Sequence, residues 1–133
     1  MNSATTEDSI ITRELRSRLR DLRRSDTNEL FAEITFDPAF RGFEGHFEGN
    51  PIVPGVCLLS LGRLLAEELT GRSLAVTEIG QCRFRRPIRA GECARCRAAA
   101  EADAGMPGAW RICAEIRCEE AVACQLRMKA VAR

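Results

Sequence analysis

His46 is the only histidine among 133 residues, and it stands in the stretch Gly45-His46-Phe47-Glu48-Gly49-Asn50-Pro51-Ile52-Val53-Pro54-Gly55-Val56. An imidazole changes charge near neutral pH, so it is the side chain best suited to take a proton from a bound molecule. Gly55 opens an apolar run, where a backbone N–H unhindered by a side chain can meet a developing negative oxygen, helped by the positive end of a helix dipole. Pro51 and Pro54 stiffen the approach and remove competing donors. Together these residues suit proton removal next to a carbonyl, with the oxygen's charge held by the helix start. A plainer reading stands beside this one: a polar loop histidine and a glycine that simply begins a helix.

Seven cysteines raise metal or disulfide chemistry, with Cys93-x-x-Cys96 and the Cys113 to Cys118 pair resembling ligand spacings. The first pair falls in a strand pattern, where an odd separation sends the side chains to opposite faces, whereas a zinc pair sits on a tight turn. Buried thiols acting as small apolar side chains, with no metal site, are the expectation.

The histidine stretch leads into residues 56 to 69, apolar on nearly every side except around Ser60, Arg63, Glu67 and Glu68. That pattern predicts a buried helix, stopped by Thr70-Gly71 with Gly71 as a left-handed cap. Glu67 is placed to pair with Arg63 across one turn. Ahead of it, Ile11, Leu15, Leu19 and Leu22 recur at helical spacing within residues 9 to 24, among Arg13, Arg16, Arg18, Arg20, Arg23 and Arg24. This predicts a basic amphipathic surface helix docked by its leucine stripe.

Leu30, Ala32, Ile34 and Phe36 then alternate with Phe31, Glu33 and Thr35, predicting a first strand that ends at Asp37-Pro38. After Ser73 the chain is nearly all strand: Leu74 to Ile88, Cys93 to Glu101, Ala109 to Glu119 and Val122 to Ala132, separated by glycine- and proline-bearing turns. In the last two, Trp110, Ile112, Ala114, Ile116 and Cys118 face one way, as do Val122, Cys124, Leu126, Met128 and Ala130, so one sheet face is dry and the other wet. The fold class expected is α+β: an antiparallel sheet of about five strands curled around one long helix. Residues 1–133 form a single domain, with 1–28 an N-terminal extension carrying the basic helix.

Charge adds little. Lys+Arg 20 against Asp+Glu 19 leaves a net charge of +1, which makes no whole-chain case for nucleic acid or a membrane surface. No run approaches the ~20 apolar residues of a membrane span, and the polar, acidic start lacks the form of a secretory signal, so a cytoplasmic protein is expected.

The histidine stretch resembles the signature of the 3-hydroxyacyl-acyl-carrier-protein dehydratases, Gly-His-Phe-Pro-Gly-x-Pro-(apolar)-(apolar)-Pro-Gly-Val leading into the central helix of a hot-dog fold. A second match, Arg83-Phe84-Arg85-Arg86-Pro87-Ile88-x-x-Gly91-Glu92, is similar to that family's strand after the helix. The resemblance covers roughly Glu29 to the C-terminus. It implies a hot-dog fold, dehydration of a 3-hydroxyacyl thioester in fatty-acid or polyketide-type synthesis, His46 as base, Gly55 as the oxyanion donor, and Phe47, Pro54, Val56, Leu64 and Phe84 around the substrate. It also implies a carrier-protein partner, and a homodimer or a heterodimer with a related hot-dog subunit; an exposed strand edge calls for such pairing independently. Arg83, Arg85 and Arg86 concentrate charge near the end of one strand and, with the basic first helix as a further candidate, are the docking surface expected for an acidic carrier protein. Elimination calls for no cofactor beyond the substrate's phosphopantetheine arm.

One position departs from the family. Its acid, Glu or Asp, lies fourteen residues after the histidine, often with Gln one turn later; here Ser60 and Leu64 stand at those positions. A serine hydroxyl can orient water or the substrate hydroxyl but has no carboxyl proton to give. The readings that follow are a dehydratase whose acid comes from elsewhere, a reduced subunit that partners an intact homologue, an acyl thioesterase, and a non-catalytic acyl-binding module.

Overall fold

The computed structural model describes the backbone of residues 3–44 and 49–133, and side chains from Ile10 onward within those spans. The elements run α1 (Ser3–Arg18), β1 (Leu19–Arg24), β2 (Glu29–Thr35), a short 3-10 turn (Arg41–Phe43), α2 (Gly55–Thr70), β3 (Leu74–Phe84), β4 (Cys93–Ala102), β5 (Ala109–Cys118) and β6 (Ala121–Ala132). The six strands form one antiparallel sheet in the order β1-β2-β4-β5-β6-β3. α2 packs on β2 through β6, the arrangement of a hot-dog fold.

The alternation written in the strands decides which face meets α2. β2 buries Leu30, Ala32 and Ile34, β5 buries Ile112, Ala114, Ile116 and Cys118, and β6 buries Cys124, Leu126, Met128 and Ala130. Against them lie Leu61, Leu64, Leu65 and Ala66 of α2, none exposed at all. Burying a leucine side chain contributes about 1.5–3 kcal/mol, so this helix face is the main apolar anchor of the domain. Gly62 sets the approach: a Cβ there would stand 2.8 Å from Met128 Cε and 3.0 Å from Leu126 Cδ1. Gly71 ends the helix as expected, at φ 69° with its N–H donated to the Glu67 carbonyl at 2.9 Å.

The N-terminal region corrects the sequence reading. The expected helix over 9 to 24 is instead a helix that starts earlier and stops at Arg18, and Leu19–Arg24 is a sixth strand. Leu19 pairs with Ile34 and Arg24 with Leu30, so the open edge of β2 claims the backbone that helical periodicity had assigned to a last turn. A bulge between Arg20 and Arg23, with Asp21 at φ 55°, turns Leu22 outward to 40 % exposure, so the leucine stripe ends at Leu15 and Leu19. Residues 25–28 close the hairpin, with Asn28 at φ 61° and the Ser25 N–H on the Glu29 carbonyl at 2.9 Å. β3 likewise ends at Phe84 rather than Ile88, because Arg85 and Arg86 turn their N–H groups to the Ala123 carbonyl and Pro87 has none to offer.

Candidate functional site

α2 begins at Gly55, with Pro54 as N-cap in extended geometry at φ −63° and ψ 147° and no side chain capping the helix. The Pro54 carbonyl accepts from Cys57 at 3.0 Å and Leu58 at 3.3 Å. No backbone acceptor among the described residues takes the Gly55 N–H. Among these residues it is open at the positive end of the helix, a place suited to receive an anionic oxygen.

The chain before α2 is fastened to the loop after β3. Val53 donates to the Ile88 carbonyl at 2.8 Å, Ile52 bridges to Arg89, and Ala90 donates to the Pro51 carbonyl at 3.4 Å. The two sequence motifs, over thirty positions apart, are thus one physical unit. At its mouth the Phe84 ring lies on Gly55: a Cβ at position 55 would stand 2.7 Å from Cζ and 3.0 Å from Cε2. Phe84 is 50 % exposed and Val56 69 %, so two apolar side chains remain uncovered beside the Gly55 N–H.

Ser60 sits half-buried on α2, lining a groove of about 340 Å³ between α2 and β3 together with Val56, Leu59, Val76, Ile79 and Met128. Leu64, one turn further, has no exposed surface and belongs to the core rather than to this groove. The groove's outer wall is β3, an edge strand of the sheet. Ile79, exposed there and not singled out by the sequence, lies between two register shifts, Val76/Glu78 and Ile79/Gln81, which obscure the simple alternation that would have marked it.

His46 and Phe47 lie outside the described residues, as does Glu48. The flanks of that stretch are described. Glu44 follows the 3-10 turn with its N–H on the Arg41 carbonyl at 3.0 Å, and Gly49 has φ 84°.

The three arginines of the second motif separate. Arg83 and Arg85 are exposed, the Arg85 side chain donating to Gln125 Oε1 at 3.2 Å, while Arg86 is half-buried and bridges Glu92 Oε2 at 2.8 Å. The Glu92 hydrogen bond raises the Arg86 pKa. Burial pushes the Glu92 carboxyl up, but Arg86 and the Arg89 N–H at 2.7 Å outweigh it and hold the carboxyl below its ordinary range.

α2 also carries a buried ion pair. Arg63 and Glu67, 7 % and 9 % exposed, join through Nη1 and Oε2 at 3.1 Å. Glu67 takes two further donors, Arg16 Nη2 at 2.9 Å and the Leu74 N–H at 2.8 Å, and Arg63 Nη2 donates to Thr12 Oγ1 at 3.0 Å. The spacing of Arg63 and Glu67 predicted their pairing; only the packing of α1 explains why both are buried.

Four of the seven cysteines, Cys57, Cys96, Cys118 and Cys124, are small core residues, whereas Cys82 is half-buried and Cys93 and Cys113 are exposed because they fall on the wet face of their strands, which corrects the expectation of buried thiols for these three. Cys93 is exposed and Cys96 buried, the opposite faces that the odd spacing requires. All seven are free thiols, and burial pushes Cys57 up to about 11 and Cys96 and Cys124 up to about 12, which keeps them protonated at neutral pH. No group of three or more metal-binding side chains gathers among the described residues, and among them no helix is long and apolar enough to cross a membrane.

With this geometry in place, the comparisons with known proteins converge. The ApeI-like family, described as ApeI dehydratase, matches residues 22–123. The 3-hydroxyacyl-[acyl-carrier-protein] dehydratase FabZ of Dinoroseobacter shibae is 32% identical over 100 residues, 67% of this chain and 60% of that one. The protein of the same name from a Caulobacter strain is 32% identical over 71 residues, covering 47% of this chain and 42% of its own length. The matches thus span between about two fifths and three fifths of these relatives. Among solved structures, a chain of the dehydratase heterocomplex ApeI:P from Xenorhabdus doucetiae superposes with TM-score 0.73 at 18% identity, over 85% of this chain and 96% of that one. The PaaI protein of the E. coli phenylacetic acid degradation operon does so with TM-score 0.67 at 16% identity, over 98% and 89%. At these identities the superpositions speak for the fold.

Proposed function

Because the chain belongs to the ApeI-like dehydratase family, we propose that it takes part in dehydrating a 3-hydroxyacyl thioester borne on an acyl-carrier protein, in fatty-acid or polyketide-type synthesis. The observation that carries this is the open start of α2. Among the described residues the Gly55 N–H has no backbone acceptor; it sits at a helix N-terminus and is flanked by the exposed apolar Val56 and Phe84. A thioester oxygen received there gains charge as the α-proton leaves, and the N–H stabilises that charge more than it stabilises the ground state. His46 is the base in this reading. Pro54, Val56 and Phe84 border the arriving acyl chain, with Phe47 assigned the same part.

Expulsion of the 3-hydroxyl needs a proton, and Ser60 holds none of carboxyl acidity. Its hydroxyl can orient a water or the departing oxygen. A second reading therefore has its own support: this chain is a reduced subunit that completes its site with an intact hot-dog partner. Ser60 opens to a groove whose outer wall is the edge strand β3, and the apolar Val56, Ile79 and Phe84 lie exposed along that side. A second hot-dog chain pairing along β3 would cover these side chains and bring its own helix to the groove.

Arg83 and Arg85 are the proposed contacts to an acidic carrier protein, with Arg86 already engaged by Glu92. The proposed location is the cytoplasm, and the elimination uses no cofactor besides the carrier's phosphopantetheine. The deciding assay offers the purified chain a 3-hydroxyacyl carrier-protein thioester, alone and mixed with an intact dehydratase homologue. Turnover alone supports the first reading and turnover only in the mixture the second. Thioester hydrolysis without an enoyl product would replace both with a thioesterase, and silence in every arm would leave an acyl-binding module.

A further inference from the structure

Phe31 breaks the pattern of the wet sheet face. Leu30, Ala32 and Ile34 of β2 turn inward, so Phe31 points to the face opposite α2, where it is half-buried. The strand register sets Arg23 of β1 on one side of it and Arg97 of β4 on the other. Among the described residues no guanidinium and no second aromatic ring stacks on it.

A second departure lies beside it. Arg95 and Arg117 stand directly across from each other on β4 and β5, and like charges so placed are destabilising. The other like pair on this face, Arg111 and Lys129, has carboxylates of its own, Glu101 at 3.1 Å from Arg111 and Asp103 at 3.9 Å from Lys129. Arg117 has Glu115 at 3.1 Å, but the Arg95 side chain pairs with no carboxylate among the described residues and donates to the Glu119 carbonyl at 2.9 Å. These side chains share one concavity of about 300 Å³ over Phe31, lined by Arg23, Arg95, Arg97, Arg117, Glu33 and Glu115. Four guanidinium groups against two carboxylates make it positive in a chain whose net charge is only +1.

The layout narrows the occupant. From β1 to β5 the strand order crosses three spacings, about 14 Å, too wide for a single anionic group. Glu33, which has no ion pair among the described residues, interrupts the positive surface. An unbroken row of phosphates would set anion against anion there, whereas a protein segment can place a donor opposite it. A second copy meeting this face through its own would set arginine against arginine. We propose that the concavity docks an acidic segment of another protein, one that carries a single apolar side chain. Its carboxylates meet Arg23, Arg95, Arg97 and Arg117, and its apolar side chain lies on Phe31. The surface is on the sheet face opposite α2, so a partner held here leaves the groove between α2 and β3 open. This inference does not depend on the dehydration reading.

The test uses the full chain and a fluorescently labelled peptide of aspartate and glutamate with one central leucine, read by anisotropy. Binding should weaken as salt rises, and by about tenfold in Arg95→Glu, the scale of one charged hydrogen bond. That variant turns a like pair into an opposite one, so it should fold at least as stably as wild type. Serine in place of the leucine should also cost about tenfold, the scale of one buried apolar side chain, and Phe31→Ala should erase the difference between the two peptides. Should Phe31→Ala fail to fold in thermal melts, Phe31→Thr, which suits a strand, decides in the same way. Unchanged binding in Arg95→Glu, or an undiminished leucine preference in Phe31→Ala, overturns the proposal. A loss in Arg85→Glu without one in Arg95→Glu overturns it too, by putting the peptide beside β3. An oligouridine that binds more tightly than the peptide and weakens in Arg95→Glu would give the patch to nucleic acid. A lower mass of Arg95→Glu in light scattering would give it to a second copy, and either result rejects the acidic segment.

Discussion

The Phe84 ring rests on the Cα of Gly55 so closely that an added Cβ would stand 2.7 Å from its Cζ. The glycine thus accommodates a contact from β3, besides any role of its N–H.

Gly55→Ala tests how the two roles divide. The ring is half exposed and can swing outward, and alanine favours a helix over glycine by about 1 kcal/mol, which offsets part of the about 1–3 kcal/mol of overpacking. Stability should change by about 1 kcal/mol or less in thermal melts. Turnover should fall much further, because the displaced ring and the new methyl both crowd the N–H. A parallel loss of both, or of neither, would count against the oxyanion role.

Ser60→Glu addresses the missing acid. Position 60 lies on α2 just over one turn past Gly55, so a carboxyl there faces the same groove as Val56. If the chain is a reduced subunit, this substitution should raise dehydration in the absence of any partner. His46→Ala should remove about 10²–10⁴-fold of whatever activity exists. Activity that survives His46→Ala would make that residue structural.

Arg85→Glu and Arg86→Glu should separate two kinds of arginine. The first should weaken carrier-protein binding and lessen its salt dependence while leaving the fold intact, since the exposed Arg85 side chain gives up one hydrogen bond, to Gln125, and its backbone bond to Ala123 is unaffected. The second loses the Glu92 bridge and places two carboxylates together, so the protein itself should destabilise. Acid adds a further check. Glu92 is held below its ordinary 4.5 in the folded chain, so its contribution is present above that value and is lost as pH falls through the lower folded pKa. Melts between pH 6 and 3, a window chosen around that carboxylate range, should show a shallower acid decline in Arg86→Gln than in wild type.

Glu67→Ala should be among the costlier single changes. It removes one carboxylate from Arg63, Arg16 and the Leu74 N–H at once, leaving a buried guanidinium with one anionic partner fewer. Breaking such a pair from one side costs about 3–5 kcal/mol, readable in denaturant unfolding. A loss near 0–1 kcal/mol would mean that water enters and the pair counts as a surface one.

Much of this protein was written locally. The alternation in Ala109–Cys118 and Ala121–Ala132 determined one dry sheet face, and the apolar wheel of 56 to 69 determined the helix that it covers, because side-chain direction follows from backbone period alone. Gly71 stopped that helix where its type said it would. The two glycine- and proline-bearing motifs stood out in the sequence, and the structure joins them through Val53 to Ile88. Other features depended on partners distant in the chain. Leu19–Arg24 carries helical spacing, but the unpaired edge of β2 offered its backbone more hydrogen bonds than another helical turn. Arg63 and Glu67 read as a polar stripe, and they are buried because Thr12 and Arg16, some fifty residues earlier, satisfy their charges. Arg86 read as one of three docking arginines, yet Glu92 turns back to claim it. In each case the residue's own preference was weak, and what decided its place was a charge or an open strand edge brought near only by the completed fold.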